Sequence, residues 1–277
     1  MRSLCTTVAL LICAAAAGAQ ALRFHADSAS RVAAVPRDSV RNANGSLRVA
    51  HAENYEFLMR RIAPLAERWG RDARLGIDPG YVIALFVKES AGDTLAVSAA
   101  PALGLAQLTA RTDADLRLMD TEYHFQWMAP EVSAWPRSPL VHSGSPSAAA
   151  IDSMLRAGAI TSHDEYLFAP DHAARAAVFW IRLLENKWST DFWPGGYGSF
   201  ARKRINGGAP LTESQLIDLV TVCYNRGYIR VHDLVKRHGA AWTDHLNELG
   251  ADSAEARDYL ERVRDYAARF EGLPAMP

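Results

Sequence analysis

Residues 81–87 form an unbroken apolar segment that follows Asp78-Pro79 and ends two residues before Glu89. Asp favours the N-cap of a helix, and Pro favours its first turn. A helix that is apolar on nearly every face must lie inside the protein, because no side of it suits water. The sequence therefore predicts a buried central helix with Glu89 at its C-terminal end.

Other helices are expected to surround this segment. Apolar residues recur at steps of three and four, and a Thr212-to-Gln215 capping box is one of the predicted start signals. A second such box is predicted at 252–255, and Pro64 predicts a break in the first helical segment. No alternating run is long enough to build a sheet, apart from short segments in loops. We predict an all-α fold, with further helical segments over 55–69, 171–188, 212–223 and 252–270.

The N-terminus has the pattern of an export signal. Arg2 precedes an apolar stretch at 8–12, and Ala19-Gln20-Ala21 fits a cleavage site, so we expect residues 1–21 to be removed. The apolar stretch is too short to cross a bilayer, and no later stretch reaches the required length. Lipidation at Cys13 is a second possibility, which the bulky Ile12 before it disfavours. The sequence predicts an exported protein of the periplasm or cell envelope.

Charge and cysteine content narrow the function classes. Without Arg2 the chain has 29 Lys+Arg against 31 Asp+Glu, a formal net charge of −2. Nucleic-acid binding calls for clustered excess positive charge, so no nucleic-acid partner is expected. Cys223 is the sole cysteine after the signal, so the expected mature chain has no internal disulfide and depends on its core.

Composition also suggests how the chain is divided. Residues 22–50 are rich in Ala, Ser, Arg and Asn and carry Pro36 and Asn44-Gly45, which predicts a linker or loosely docked arm. Residues 51–277 are expected to form the functional domain. Two long insertions, 111–165 and 189–211, are predicted to be loops within it.

Glu89 is the candidate catalytic residue. It is followed by Ser90, Ser98 and the turn sequence 104–107, Gly-Leu-Ala-Gln. Carbonyl dipoles at a helix C-terminus disfavour a carboxylate anion, and partial burial acts in the same direction. A single carboxylic acid in such a setting suits protonation of a glycosidic oxygen. Asp93 follows in the loop, where we expect a surface position.

These motifs resemble the soluble lytic transglycosylases, a family with a goose-type-lysozyme-like fold. The family pattern is Glu-Ser, Ser and Gly-Leu-Met-Gln, and here Ala106 replaces Met. Residues 223–227, Cys-Tyr-Asn-Arg-Gly, are similar to the family's Ala-Tyr-Asn-Ala-Gly. The segment 168–171 and the helix that contains Tyr259 match in the same order.

The resemblance implies a lysozyme-like helical domain that cleaves the bond between N-acetylmuramic acid and N-acetylglucosamine in peptidoglycan glycan strands. Glu89 would be the sole general acid and base, and a 1,6-anhydro product would form without added water. It also implies substrate-binding residues. Ser90 and Ser98 would bond sugar or nearby backbone groups, Gln107 would bind the substrate amide, and Tyr224 would orient Glu89. Asn225 would fix the cleft wall, and Tyr259 would complete the polar cluster.

Other chemistries lack their motifs. The nine His residues show no metal-ligand spacing, and His232, His238 and His245 are expected to face solvent. No phosphate loop or serine-nucleophile elbow is present, so no metal and no cofactor are predicted. Two alternatives stay open: a hydrolytic muramidase of the same fold, and a glycan-binding envelope protein with little turnover.

Overall fold

The computed structural model describes thirteen ranges and one single position of the 277-residue chain. The predicted signal, most of the predicted linker and most of the 111–165 insertion lie outside the described residues. The described residues are 40–41, 47–49, 63–71, 76–94, 96–98, 102–109, 111–112, 115–116, 153, 156–158, 165–168, 170–191, 196–250 and 255–270, apart from helix-internal side chains whose placement is not described.

The described part of the chain is built from helices, which confirms the predicted all-α class. Seven α-helices and two 3₁₀ helices follow one another. The 3₁₀ helices cover Glu165–Phe168 and Gly239–Leu249. The α-helices are α1 (Ala63–Gly70), α2 (Pro79–Ser90), α3 (Pro170–Ser189), α4 (Gly198–Ile205), α5 (Glu213–Arg226), α6 (Tyr228–His238) and α7 (Glu255–Phe270).

Helix α2 is the buried centre, as predicted. The Asp78 carboxylate accepts the Tyr81 backbone N–H at 3.0 Å, and Pro79 occupies the first turn. Every residue from Gly80 to Val87 is buried. Helices α1 and α7 pack against α2, while α3 packs on α1 and α5. The helix ends at Ala91, whose left-handed φ of 52° turns the chain sharply after Glu89 and Ser90.

Two short antiparallel strand pairs complete the described structure. Val40–Arg41 (β1) pairs with Leu47–Val49 (β2), inside the range predicted to be a linker or arm. Ala102–Leu103 (β3) pairs with Leu108–Thr109 (β4), with Ala102 opposite Thr109 and Leu103 opposite Leu108. The second pair makes residues 104–107 a four-residue hairpin loop.

Most helix predictions agree with the structure, and one insertion does not. Both halves of the Thr212 capping box form, with the Thr212 hydroxyl on the Gln215 N–H and the Gln215 side chain on the Thr212 N–H. The break predicted at Pro64 stays a prediction, because the residues before Ala63 are not described. The 189–211 insertion was predicted to be a loop, but it contains α4, whose Ala201 and Ile205 are buried against the core. The capping box at 252–255 lies largely outside the described residues.

Cys223 lies in the core of α5. Its side chain is fully buried and its sulfur accepts the Trp188 indole N–H at 3.2 Å. Burial raises the pKa of the Cys223 thiol well above its usual value. A neutral, covered thiol of this kind is a packing residue. Within the described ranges, no helix combines the length and the apolar character needed to cross a membrane.

Candidate active site

Glu89 lies half-buried at the end of α2, where α7 crosses it. The Tyr259 hydroxyl on α7 donates a hydrogen bond to Oε1 of Glu89. Tyr259 is itself only 3% exposed, so its hydroxyl approaches the carboxylate from the protein interior. Burial raises the pKa of Tyr259 well above its usual value, and the nearby charge of Glu89 adds to the shift. Tyr259 therefore stays protonated and acts as a fixed donor.

A second link between the two helices lies one residue away. Lys88 Nζ binds Asp258 Oδ2 at 2.9 Å, and Arg262 Nε binds Oδ1 of the same carboxylate at 2.9 Å. The Lys88 ammonium also lies 5.6 Å from the centre of the Tyr259 ring. The pairs 88–258 and 89–259 thus follow each other along the helix contact. The sequence did not predict this ion triad, because Lys88 lies 170 residues before Asp258.

The hairpin loop 104–107 is the next part of the site. Gly104 has a φ of +66°, and a Cβ there would lie 2.0 Å from the Leu167 carbonyl oxygen. Only glycine satisfies both the left-handed backbone and this close approach. Leu167, which directly precedes the segment 168–171, therefore packs against the hairpin loop at Gly104.

Ser90 and Tyr224 hold this loop by its main chain. The Ser90 hydroxyl lies 2.8 Å from Leu105 O, and it also lies 3.2 Å from Phe86 O within its own helix. The Tyr224 hydroxyl donates to Ala106 O at 2.8 Å. A phenol has one proton, so Tyr224 has none left to donate to Glu89. In the structure, the hydroxyl that donates to Glu89 is therefore that of Tyr259, whereas the Tyr224 hydroxyl donates to the hairpin loop.

Tyr224 is nevertheless close to the carboxylate. Burial raises the pKa of Tyr224 well above its usual value, and the charge of Glu89 is the next cause. Tyr81 interacts electrostatically with both Tyr224 and Tyr259, and its hydroxyl lies 2.8 Å from Thr221 Oγ1. The phenols of Tyr224 and Tyr259, which are close enough to feel the Glu89 charge, remain neutral near pH 7.

The side chains of Gln107 and Ser98 form hydrogen bonds within the loop region. Gln107 Nε2 donates to Ala96 O at 3.1 Å and to Gly104 O at 2.9 Å, which stabilises its own left-handed φ of 48°. Both amide protons are therefore engaged, and Gln107 can offer a substrate only its amide oxygen. Ser98 is exposed, and its Oγ accepts the Ala102 N–H at 3.0 Å. The binding roles predicted for both residues stay predictions.

One expectation about a neighbouring residue is wrong. Asp93 was expected at the surface, but it is fully buried in the turn that follows α2, where its backbone bonds to Ser90 and Ala96. Ala106 occupies the position of the family's Met. Its side chain is fully buried, so this position contributes to the site through its carbonyl group.

A pocket opens beside Tyr224, with a cavity volume of about 440 Å³. One wall comes from Thr109, Arg111, Thr112 and Asp115, and the other comes from the junction of α5 and α6 around Gly227. Asn225 lies in this second wall, and its Oδ1 is buried without a hydrogen-bond partner among the described residues; the role predicted for Asn225 stays a prediction. Arg226 Nη2 is 2.5 Å from Glu255 Oε2 at the start of α7.

The histidines do not all face solvent as expected. His232 packs 4.4 Å from the Tyr197 ring, and His238 stacks on His245 at 3.6 Å with an interplanar angle of 10°. Glu248 brings a carboxylate to this stack, so three possible metal ligands lie within 4.8 Å of one another. Ring lone pairs of parallel stacked imidazoles do not converge on one ion, and Arg237 already binds Glu248. The cluster is an ion-pair network.

Helices pack around a buried central helix that has the half-buried Glu89 at its C-terminal end. A family model, the transglycosylase SLT domain, matches residues 70–134, a range that contains Glu89, Ser90, Ser98 and Gln107. For that part of the chain, the match confirms the recognition predicted from the motifs.

Solved structures give a broader comparison. An inactive mutant of the lytic transglycosylase Slt from Pseudomonas aeruginosa is 17% identical, with a TM-score of 0.44 over 77% of this chain and 24% of that one. The 70 kDa soluble lytic transglycosylase from Escherichia coli is 15% identical, with a TM-score of 0.44 over 78% and 25%. The chain thus spans about a quarter of the length of either protein. A search of curated proteins gave no match.

Proposed function

We propose that this protein is a peptidoglycan lytic transglycosylase of the bacterial cell envelope, exported by the signal predicted at residues 1–21. Its substrate is the glycan strand, and the bond cleaved is the β-1,4 link between N-acetylmuramic acid and N-acetylglucosamine. Glu89 acts as the sole general acid and base. The SLT-domain match over residues 70–134 supports the family part of this proposal.

One observation carries the catalytic part: the buried Tyr259 hydroxyl donates to one oxygen of the half-buried Glu89 carboxyl group. A hydroxyl that donates to Oε1 favours a carboxylic acid whose proton is on Oε2. The same bond stabilises the carboxylate after the proton has left, because hydrogen bonds to a charged acceptor are the stronger ones. The carboxyl group is thereby oriented for both halves of a proton cycle.

The proposed reaction moves two protons through Glu89. In the first half, the acid protonates the glycosidic oxygen, and the bond from the muramic C1 to that oxygen breaks. In the second half, the carboxylate takes the proton of the muramic C6 hydroxyl, and that oxygen bonds to C1. The product is a 1,6-anhydro sugar, no water is consumed, and Glu89 is again protonated. Intramolecular attack gains from the high effective concentration of the C6 hydroxyl.

A hydrolytic muramidase of the same fold, in which water replaces the C6 hydroxyl, is the second candidate. Hydrolysis by paired carboxylates needs a second acid group near the scissile bond. Asp93 lies four residues after Glu89, but its side chain is fully buried and cannot contact a bound glycan. Its backbone bonds to Ser90 O at 3.0 Å and to the Ala96 N–H at 3.4 Å favour a structural role in the turn. We therefore rank the hydrolase second.

Product mass separates the candidates. Purified protein is incubated with intact sacculi, and the released muropeptides are analysed by mass spectrometry. A lytic transglycosylase yields fragments one water lighter than the hydrolysis products, with no reducible muramic end. Reducing ends alone would support the muramidase. Binding to sacculi without released fragments would support the third alternative, a glycan-binding envelope protein.

A further inference from the structure

We propose that Lys88 and Asp258 are positioning residues for the proposed reaction. Their ion pair fixes α7 on α2, so that the Tyr259 hydroxyl stays on Oε1 of Glu89. The inference rests on the proposed function, because it takes Glu89 as the proton carrier. Both residues act on the reaction through the position of that hydroxyl.

The bond from Tyr259 to Glu89 depends on how α7 is placed along α2. Each step of one residue along a helix turns the side chain by about 100° and advances it by about 1.5 Å. A hydrogen bond weakens steeply once its angle falls below about 120°, so a small rotation of α7 is enough to lose the bond. A second link beside the first one fixes both the rotation and the translation of α7.

The ion pair between Lys88 and Asp258 is such a link. Its two residues directly precede Glu89 and Tyr259 along the chain, so the two links lie side by side. Lys88 Nζ is 2.9 Å from Asp258 Oδ2, and the Lys88 side chain is only 11% exposed. Exposed ion pairs contribute little, whereas a covered pair is screened less by solvent and salt. This pair is therefore able to hold one helix on the other.

The Asp258 carboxylate is also held from its own helix. Arg262, one turn later on α7, has Nε 2.9 Å from Oδ1, which leaves Oδ2 to Lys88. The carboxylate thus has one cation on each oxygen, and it has little freedom to rotate. A contact made by a fixed group restrains the position of α7, in addition to balancing charge.

Lys88 also contacts the aromatic ring that carries the hydroxyl. Its ammonium group lies 5.6 Å from the centre of the Tyr259 ring, within the range of cation–π attraction. One ammonium group therefore joins both the Asp258 carboxylate and the Tyr259 ring to α2. Apart from Glu89, Lys88 is the only charged residue of α2, and residues 80–87 before it are buried. The single cation of this helix is thus placed directly beside the acid.

Two substitutions break the same ion pair but change the charge in opposite directions. Lys88→Met removes a cation near Glu89, and Asp258→Asn removes an anion. If charge alone acted, the midpoint of the Glu89 titration would rise in K88M and fall in D258N. If the pair positions Tyr259, both variants weaken the bond that stabilises the carboxylate, so the midpoint rises in both. The direction of the change in D258N therefore separates positioning from charge.

The titration is followed by carbon-13 NMR of labelled glutamate carboxyl groups, with Glu89→Gln to assign the signal. The same variants are assayed for release of fragments from sacculi. We expect kcat to fall about fivefold in both K88M and D258N, because the bond from Tyr259 is weakened rather than removed. In a Tyr259→Phe background neither substitution should lower kcat further, since no hydroxyl remains to be positioned.

Asp218→Asn is the matched control, because it removes a carboxylate that binds α7 at another position. Asp218 on α5 accepts a hydrogen bond from Arg264 Nε at 2.9 Å. D218N should change kcat by less than about twofold, with or without the Tyr259 hydroxyl, and it should leave the Glu89 titration unchanged. Circular dichroism checks that each variant is folded.

Several results would overturn the proposal. A lower titration midpoint in D258N would do so, as would unchanged kcat in both variants or an equal loss of kcat in the Tyr259→Phe background. If D258N does not fold, K88M gives the answer: its rise in midpoint must be larger with the Tyr259 hydroxyl than without it, and equal rises refute positioning. Absence of turnover in the wild type would count against the proposed function instead, and the titration, which needs no substrate, would still test the ion pair.

Discussion

Glu89 lies between two regions that are built in different ways. On one side, α7 presents side chains to side chains, with Tyr259 on the carboxyl group and Asp258 on Lys88. On the other side, the hairpin loop 104–107 is held by its carbonyl groups, which receive the hydroxyls of Ser90 and Tyr224. The α7 side stabilises the charge of the Glu89 carboxylate. The loop side fixes the backbone of residues 104–107.

This difference has a functional consequence. Substitutions on the α7 side should change the chemistry of proton transfer with little change in folding, since they alter groups that contact the acid. Substitutions on the loop side should change the free energy of unfolding, since they leave buried carbonyl groups without donors.

Glu89→Gln removes the carboxyl group that we propose as the proton carrier. We expect kcat for release of fragments from sacculi to fall at least about 10³-fold, because one residue serves as acid and base in the same cycle. The fold should remain, since Gln has nearly the same shape and can still accept the Tyr259 hydrogen bond. Circular dichroism and thermal melting provide the folding control. Residual turnover within tenfold of wild type would exclude Glu89 as the sole acid.

Gly104→Ala should give the largest loss of stability on the loop side. The new Cβ would be 2.0 Å from Leu167 O, and alanine must also adopt a φ of +66°. We expect a loss of about 3 kcal/mol, measured by urea unfolding. Gly207→Ala is the matched control, because its φ is +61° and no atom lies within 4 Å of the new Cβ. It should cost only about 1 kcal/mol, and equal losses would show that the contact with Leu167 is unimportant.

Tyr259→Phe and Tyr224→Phe compare the two sides directly, because each removes one phenol hydroxyl. Y259F loses a donor to a carboxylate, so kcat should fall roughly ten- to thirtyfold with a small change in Tm. Y224F leaves the Ala106 carbonyl without its donor, so unfolding free energy should fall by about 1 kcal/mol, with the smaller effect on kcat. Steady-state assays and thermal melts on both variants give the result. A larger loss of kcat in Y224F would reverse our assignment.

The two ion pairs of α7 should respond to pH in opposite directions. Burial opposes ionisation of Asp258, but hydrogen bonds from Lys88 and Arg262 outweigh it, so its pKa is lowered. Desolvation dominates at Asp218 despite its bond to Arg264, so its pKa is raised. A lowered pKa means that Asp258 stabilises the fold above its unfolded pKa, and that this stabilisation is lost as pH falls through the folded value. A raised pKa means that Asp218 favours the fold when protonated and loses that contribution as pH rises through its folded pKa.

Asp258→Asn and Asp218→Asn test this contrast in unfolding experiments between about pH 3 and pH 7. The stability advantage of wild type over D258N should grow with rising pH, by about 0.5 kcal/mol after allowance for solvent exposure. The difference between wild type and D218N should change in the opposite direction. Parallel slopes for both variants would contradict the assigned directions.

Local signals in the sequence predicted the parts of the fold that depend on neighbouring residues. The Asp78 cap and the Thr212 box formed as expected, because each uses a side chain and an N–H within three residues. The buried α2 followed from its composition alone. Helix α4 was missed, since it begins at Gly198 after a run of glycines that indicated a loop.

The site could be predicted less completely, because its contacts join distant parts of the chain. Motif resemblance named Glu89, Tyr224 and Tyr259 as one site, and Tyr259 does bond Glu89, but the motifs could not indicate that Tyr224 donates to Ala106 O across 118 residues. The burial of Asp93 was missed because a residue after a helix end carries no local signal of its exposure. Residue type and spacing indicate which groups meet, and tertiary packing decides which atoms bond.

The covered thiol of Cys223 has a practical consequence for labelling this protein. Because the sulfur is enclosed and accepts the Trp188 hydrogen, maleimide dyes should not react with it in the folded protein. A cysteine introduced at an exposed position such as Lys236 could then carry a fluorophore without labelling of Cys223. The anisotropy of that fluorophore would report attachment of the protein to sacculi, because a large particle rotates slowly.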